Sequence, residues 1–257
     1  MIRGLYTAGA GMMLQMARQD VVANNLANVN TSGFKKNIAV ARAFPEMVIS
    51  RLGETEVNAQ GEKTAQPIVE IGRLGTGAAV DGIYTDFDNS NIKKTDNPCD
   101  VAIIGEGYFV IQTPEGQRFT RSGEFKINNQ GQLTTNQGYP VLDTNNSPIQ
   151  LDGEFVVDEQ GNITINGETV ATLRIVNFQN LQNLEKLGDT LVNSTETPAD
   201  VARPQLQQGY IEESNVNAVK EMVTLITVVR SYESLQKMVQ AVDEATDTVI
   251  NQVGTIV

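Results

Sequence analysis

The chain has 257 residues, and its 19 Lys and Arg against 31 Asp and Glu give a formal net charge of −12. A protein this acidic is unsuited to binding nucleic acid or anionic lipid nonspecifically. The sequence has no histidine and one cysteine, Cys99, so it lacks the commonest general base, an internal disulfide and a cysteine-based zinc site. We therefore expect no catalytic residue, no metal and no cofactor. No apolar run is long enough for membrane insertion.

The first segment has the pattern of a helix that packs against other helices. Its apolar or small residues recur at alternating spacings of three and four. Turn-forming residues from Asn28 to Gly33 end the pattern, which predicts a helix over about 3–28. The seam of this helix contains Leu5, Met12, Met16 and Leu26.

The middle of the chain is typical of antiparallel β-structure. Short apolar runs and turn-forming residues alternate about every ten positions between 80 and 180. Asn166-Gly167 is the strongest two-residue hairpin signal among them. A weak internal similarity at a shift of 30 residues pairs Gln130-Gly131 with Gln160-Gly161, and either duplication or shared hairpin chemistry explains it.

The last segment predicts a second, longer helix. Ser214 is a candidate N-cap, and no Gly or Pro then follows until Gly254. A helix of that length extends about 60 Å at ~1.5 Å per residue, so the shorter first helix cannot cover its whole seam. Either other chains cover the remainder, or the two helices form a self-contained hairpin. The seam residues are Met222, Leu225, Val229, Tyr232, Val239, Val242 and Val249.

Together these segments predict an α+β protein in which two terminal helices form a coiled-coil pair and an all-β antiparallel barrel or sandwich is inserted between them. We place the helical domain at 1–44 and 208–257, and the β domain at 81–179. Residues 45–80 and 180–207 are less periodic, and we predict extended connectors there.

Several motifs are incomplete versions of ligand sites. Gly105-Glu106-Gly107 lacks the third glycine of a dinucleotide loop, and the acidic run from Asp86 lacks the glycine and final carboxylate of a calcium loop. Paired carboxylates such as Glu106 with Glu115, or Asp152 with Glu154, leave a hydrolase open. The absence of tryptophan argues against sugar binding.

The terminal segments resemble the axial proteins of the bacterial flagellum, the rod, hook and hook-junction subunits. The N-terminal signature of that family resembles the run from Ala23 to Lys35, and its C-terminal signature resembles the run from Gly209 to Asn217. The middle is similar as well, at 100–109 and 119–123. The family-motif positions are Asn24, Asn25, Leu26, Asn28, Asn30, Gly33 and Phe34, with Ser214, Asn215, Val216 and Asn217.

The resemblance implies a basal-body rod protein, either the distal rod protein or its close proximal-rod relative. Such subunits leave the cytoplasm through the flagellar type III export apparatus without a cleaved signal and assemble with themselves and with other rod and hook proteins. Their terminal helices line a hollow shaft that transmits torque. In this reading the asparagines of the N-terminal motif bridge backbone groups at the helix end, and Gly33 adopts a positive φ. The alternatives are a hook-like axial subunit, a monomeric β-domain ligand-binding protein or a carboxylate-based hydrolase.

Overall fold

The computed structural model of the protein describes residues 2–51, 55–57, 63–65, 69–188 and 190–253. Helix α1 spans Ile2–Ala27, and helix α2 spans Ala218–Thr248 before a short π-helix at Val249–Val253. Both predicted helices are therefore present, with a β-rich region between them. The predicted end of the second helix at Gly254 lies outside the described residues.

The chain divides into two compact units. The first comprises Met1–Ala23, Ile38–Tyr84 and Val223–Val257, and the second comprises Asn24–Asn37 and Thr85–Met222. This division interleaves the predicted domains, because each terminal helix begins or ends in the second unit. The predicted domain boundaries stay a prediction.

The first β segment, which includes the predicted connector at 45–80, is a set of nested antiparallel strand pairs among the described residues. Strand β1 pairs with β6, β2 with β5 and β3 with β4. The register of the second pair shifts between Ile49 and Ser50, where a bulge interrupts it. The strands are β1 (Asn37–Ala43), β2 (Met47–Arg51), β3 (Thr55–Val57), β4 (Lys63–Ala65), β5 (Val69–Leu74) and β6 (Ala78–Thr85).

The second unit holds the remaining strands. In chain order they are β7 (Ile92–Lys94), β8 (Val101–Ile103), β9 (Tyr108–Thr113), β10 (Gly116–Thr120), β11 (Phe125–Ile127), β12 (Leu133–Thr135), β13 (Phe155–Val157), β14 (Asn162–Ile165), β15 (Glu168–Thr172), β16 (Ile175–Asn177), β17 (Leu184–Leu187), β18 (Leu191–Ser194), β19 (Ala199–Asp200), β20 (Leu206–Gln208) and β21 (Tyr210–Glu212). A single 3₁₀ turn, Leu181–Asn183, precedes β17. Strands β17 to β19 lie within the predicted connector at 180–207, and β20 begins in it.

These strands form open sheets, and within the described residues none of the sheets closes into the predicted barrel. The largest has six strands in the order β17-β18-β10-β9-β16-β19, and it ends in an edge strand on each side. Strand β8 pairs with β20 and β7 with β21, outside that sheet. Gly105 and Gly107 both have positive φ in the turn between β8 and β9, and these consecutive strands belong to different sheets.

Strand β9 lies at the centre of the unit and is buried on both faces. Phe109 and Ile111 point into one hydrophobic core, while Tyr108 and Val110 point into a second. Successive side chains of a strand point to opposite faces, so a strand between two cores is apolar throughout. Burial on both faces therefore explains why the sequence from Tyr108 to Ile111 is apolar without interruption.

Three loops of the second unit share one geometry, and two of them contain residues of the internal similarity in the sequence. The side chains of Asn128, Asp143 and Asp158 each accept backbone N–H groups two and four residues later. The fourth position of each loop has positive φ, at Gly131, Asn146 and Gly161. The loops begin 15 residues apart, and the first and third contain the Gln130-Gly131 and Gln160-Gly161 pairs of the internal similarity. The predicted hairpin at Asn166-Gly167 is confirmed, with positive φ at both residues.

Candidate functional site

The two terminal motifs meet in the second unit and bind each other through their backbones. Gly33 N–H donates to the Glu212 carbonyl (2.8 Å), and Asn215 N–H donates to the Phe34 carbonyl (3.4 Å). The Lys36 N–H donates to Asn215 Oδ1 (2.8 Å). We call this region, residues 32–37 with 211–217, the junction. It joins the end of α1 to the start of α2.

Gly33 brings the N-terminal motif against the β-structure. Its φ of +67° is the positive value that the sequence predicted. A Cβ at this position would overlap the backbone nitrogen of Ser122 and lie 2.6 Å from the Arg121 carbonyl carbon. Glycine is therefore required for both its conformation and its size. Beside it, the hydroxyls of Ser32 and Ser122 are hydrogen-bonded at 3.0 Å.

Glu212 is buried in the junction between two cations. Its Oε1 is 2.7 Å from Lys35 Nζ, and its Oε2 accepts a hydrogen bond from Arg121 Nε. The Ser90 N–H also donates to Oε1 (3.0 Å). All three charged side chains are at most 5% exposed. A buried carboxylate needs this degree of pairing, because desolvation of an unpaired charge is very unfavourable.

Charge pairing sets the protonation of this cluster. Burial alone would raise the pKa of Glu212, but the charges and hydrogen bonds of Arg121 and Lys35 outweigh it and lower that pKa below its ordinary value. Burial lowers the pKa of Lys35, against the opposing attraction of Glu212. Burial likewise raises the pKa of the neighbouring Tyr108 to about 12, so its phenol stays neutral.

The aromatic residue of the N-terminal motif anchors the same segment. Phe34 is fully buried, and Lys186 Nζ lies 3.4 Å from the centroid of its ring. Lys186 also donates to the Lys35 carbonyl (2.8 Å), so one ammonium contacts both residues. A cation over a ring face is an attractive contact, and it strengthens in a desolvated site.

The asparagines of the N-terminal motif play different parts. The buried Asn25 exchanges two hydrogen bonds with the backbone of Asn37. Asn28 Nδ2 donates to the Asn24 carbonyl (3.0 Å), and Asn28 Oδ1 accepts from Thr31 Oγ1 (3.1 Å). Asn25 and Asn28 thus bridge backbone or turn groups, whereas the side chains of Asn24 and Asn30 are exposed and Leu26 is half-buried.

The C-terminal motif caps α2 at a different residue from the one expected. Asn217 Oδ1 accepts from the Lys220 N–H (3.0 Å), which makes Asn217 the N-cap of a helix that starts at Ala218. The proposed cap, Ser214, instead accepts from the Val216 N–H (3.3 Å) within the junction. Ser214 and Val216 are both buried there, so Ser214 belongs to the junction and precedes the N-cap of α2.

Comparison with known families places both halves of the junction in flagellar rod sequences. Residues 5–35 match the family described as flagella basal body rod protein, and residues 207–253 match the C-terminal region of flagellar basal body rod FlgEFG proteins. Residues 102–167 match the D1 domain of the flagellar hook proteins FlgE/F/G. The flagellar hook-basal body complex protein FlhO of Bacillus subtilis is 34% identical over the full length of both chains.

The chain belongs to the flagellar basal-body rod protein family. The rod protein FlgG of Buchnera aphidicola subsp. Schizaphis graminum is 34% identical over 95% of this chain and 97% of its own. The rod protein FlgF of Mesorhizobium japonicum is 33% identical over 98% of both. The similarity of this rod-family protein to these relatives therefore extends along nearly the whole chain and includes the junction.

The first helix of this rod-family protein buries residues other than the predicted seam, whose role in assembly stays a prediction. Leu5 and Met16 are exposed, at 40% and 52%, and Met12 is half-buried. The apolar residues of α1 that are buried are Ala8, Leu14, Val21 and Val22.

The packed face of α2 keeps the predicted alternating spacing but uses different residues at two positions. Val228 and Leu235 belong to this face, where the sequence interpretation had placed Val229 and the polar Gln236. Gly11 of α1 lies beside it, since a Cβ there would be 3.1 Å from Leu235 Cδ1. Of the predicted seam residues of the second helix, five are half-buried: Leu225, Val229, Tyr232, Val239 and Val242. The other two, Met222 and Val249, are exposed.

The carboxylates Glu106 and Glu115, a predicted pair in the hydrolase alternative, have separate partners in this rod-family protein. Glu106 accepts from Asn177 Nδ2 (2.9 Å), while Glu115 pairs with Arg118 (3.5 Å). No cluster of three potential metal ligands occurs among the described residues. None of the helices in the described part of the chain combines the length and apolarity needed to cross a membrane.

A cavity of about 230 Å³ adjoins the junction. Its lining includes the cations Lys35 and Arg121 and the acids Asp88 and Glu106. The lining of this cavity therefore carries charges of both signs.

Proposed function

We propose that this protein is a structural subunit of the flagellar basal-body rod that assembles through its terminal helices. Its partners are further copies of itself and other rod and hook proteins, and the assembled helices form a hollow shaft. That shaft transmits torque from motor to hook and encloses part of the export path. Family membership over nearly the full chain supports the rod assignment.

The observation that carries the assembly mechanism is the apolar surface left exposed on each terminal helix. On α1, Tyr6 and Met13 are each 73% exposed, next to the exposed Leu5 and Met16. Large contiguous apolar patches are rare on soluble monomers and mark interaction sites. On α2 and the π-helix that follows it, the exposed apolar side chains are Val219, Met222, Val223, Ile226, Met238, Val249 and Ile250.

The coiled-coil arrangement follows from the same helices. The alternating three and four spacing of the packed face of α2 is the pattern of helices that associate side by side. Exposed residues on other faces of both helices leave room for helices of neighbouring subunits. A contact between different faces of identical subunits generates a helical polymer when its rotation does not close into a ring.

The proposed location and route follow from this function. A rod subunit lies in the basal body outside the cytoplasmic membrane. We propose that the chain reaches it through the flagellar export apparatus without a cleaved signal. Export in an unfolded state suits this chain. The apolar faces of its terminal helices lack partners until neighbouring subunits arrive, so folding of the helices and assembly occur together.

Hydrogen exchange with mass spectrometry on the full chain, at low and high protein concentration, tests the assembly mechanism. We expect exchange at 3–28 and 218–248 to slow as polymer forms, with polymer followed by sedimentation. Met13→Glu should weaken polymerisation, whereas Gln19→Glu adds the same charge at an exposed polar position of α1 and should not. Equal protection of both helices at every concentration would instead show a self-contained helical hairpin.

A further inference from the structure

The three charges of the junction come from three distant parts of the chain. Lys35 follows α1, Arg121 follows β10, and Glu212 ends β21. Two cations share one carboxylate, so the cluster has a net positive charge when all three groups are ionised. Removing one cation therefore leaves a neutral pair, whereas removing the carboxylate leaves two buried cations without their counterion.

Arg121 and Glu212 have their partners without the N-terminal segment. The Arg121 guanidinium donates to the carbonyls of Ile103, Gly105 and Gly107 as well as to Glu212. The carboxylate is also held by the Ser90 N–H, and β21 is held by its pairing with β7. These contacts hold the Arg121 and Glu212 side chains, which form an acceptor site, without residues 24–37, whose Gly33 N–H binds only the Glu212 backbone carbonyl.

Lys35 depends on that acceptor site. Its Nζ donates to Glu212 Oε1 and to the Asp88 carbonyl, both at 2.7 Å. Asp86 also attracts Lys35, but its carboxylate is 3.0 Å from Lys36 Nζ and pairs with that residue. The carboxylate in contact with the buried ammonium is thus Glu212, which lies 177 residues away along the chain.

We infer that docking of the N-terminal motif is conditional on the C-terminal motif. The Arg121–Glu212 pair forms first and provides the counterion, and Lys35 then inserts with Gly33 and Phe34. The base of α1 is fixed only in a subunit whose chain has been completed at least as far as Glu212. The dependence runs in one direction, because the acceptor site keeps a balanced charge when Lys35 is absent.

Hydrogen exchange on full-length variants, at a concentration where the wild type is monomeric, separates a one-way dependence from a mutual one. In Glu212→Gln, protection of residues 32–37 should fall about 100-fold or more, because Lys35 has lost its counterion. In Lys35→Met, residues 210–214 and the pairing partner at 92–94 should stay within about threefold of wild-type protection. Glu213→Gln is the matched control, since the Glu213 side chain is 44% exposed and its carboxylate is 3.8 Å from Lys93 Nζ in a surface pair.

A second variant guards against general unfolding of Glu212→Gln. Adding Lys35→Met to it removes the stranded ammonium, so the double variant should recover part of the protection at 32–37. Loss of protection at 210–214 in Lys35→Met as large as that in Glu212→Gln would show that both motifs dock together and would overturn the inference. Wild-type protection of 32–37 in Glu212→Gln would overturn it as well.

Discussion

Asn25 and Asn37 form a reciprocal pair that ties the last turn of α1 to the first residue of β1. Asn25 Nδ2 donates to the Asn37 carbonyl and the Asn37 N–H donates to Asn25 Oδ1, both at 2.9 Å. The Asn25 carboxamide binds the Asn37 backbone as a residue of a neighbouring strand would, because it offers one donor and one acceptor to the same backbone residue. Asn25 is 2% exposed, so water cannot take over either bond.

This pair predicts that Asn25→Ala destabilises the protein by about 2–3 kcal/mol, since two backbone groups lose their buried partners. Urea unfolding followed by circular dichroism measures the change. Asn24→Ala is the matched control, because the neighbouring side chain is exposed, and it should change the free energy of unfolding by less than about 0.5 kcal/mol. Similar effects of the two substitutions would contradict the assigned role of Asn25.

Gly33→Ala should destabilise the junction by about 2–4 kcal/mol, through a strained backbone and overlap with the chain at Ser122. Gly9→Ala makes the same chemical change inside α1, where an added Cβ meets nothing within 4 Å. We expect the control to be neutral or stabilising, because alanine favours a helix over glycine. Thermal unfolding of both variants distinguishes these opposite signs, and a tolerated Gly33→Ala would disprove the close approach.

The stability of the protein should fall on acidification because of Glu212. Its pKa is lower in the folded state than its ordinary value of 4.5, so its stabilising contribution is present above that pH. The contribution is lost as the pH falls through the folded-state pKa, where protonation leaves Lys35 and Arg121 without a counterion. Free energies of unfolding measured from pH 7 downwards should decline less steeply in Glu212→Gln than in the wild type or Glu213→Gln. Parallel curves for all three proteins would contradict this origin of acid sensitivity.

Phe109→Ala should cost about 3–5 kcal/mol, because it leaves a cavity at the centre of the first core. The ring is fully buried and meets Phe125 edge to face at a centroid distance of 5.0 Å. Val156→Ala in strand β13 is the control, since Val156 is 61% exposed, and it should change stability by less than about 1 kcal/mol. Chemical denaturation at neutral pH measures the change in the free energy of unfolding for both variants. A small change for Phe109→Ala would contradict the central place of this ring in the core.

Local features of the sequence predicted local structure well. Alternating spacings of three and four identified both helices, and Asn166-Gly167 identified a tight hairpin, because each signal acts within a few residues. The face of α1 was harder to assign. Apolar residues occur on several sides of that helix, so spacing alone could not separate Ala8 and Leu14, which are packed, from Leu5 and Met16, which are exposed.

The continuous series Leu225, Val228, Tyr232, Leu235 and Val239 was available in the sequence and marks the packed face of α2 without a polar interruption. Spacing alone does not separate the adjacent valines Val228 and Val229, and only the structure shows that Val228 is buried while Val229 is half-buried. The role of Val229 in assembly stays a prediction.

The sequence by itself determined the two helices, the antiparallel β-region, the positive φ of Gly33 and the rod-family motifs at both ends, because all of these are encoded by residues close together in the chain. Only the tertiary structure decided that the motifs touch and that Glu212 is the carboxylate that binds Lys35 and Arg121. Among 31 acidic residues nothing local distinguishes Glu212. Its role comes from burial between partners contributed by distant segments, and burial of that kind exists only once the chain has folded.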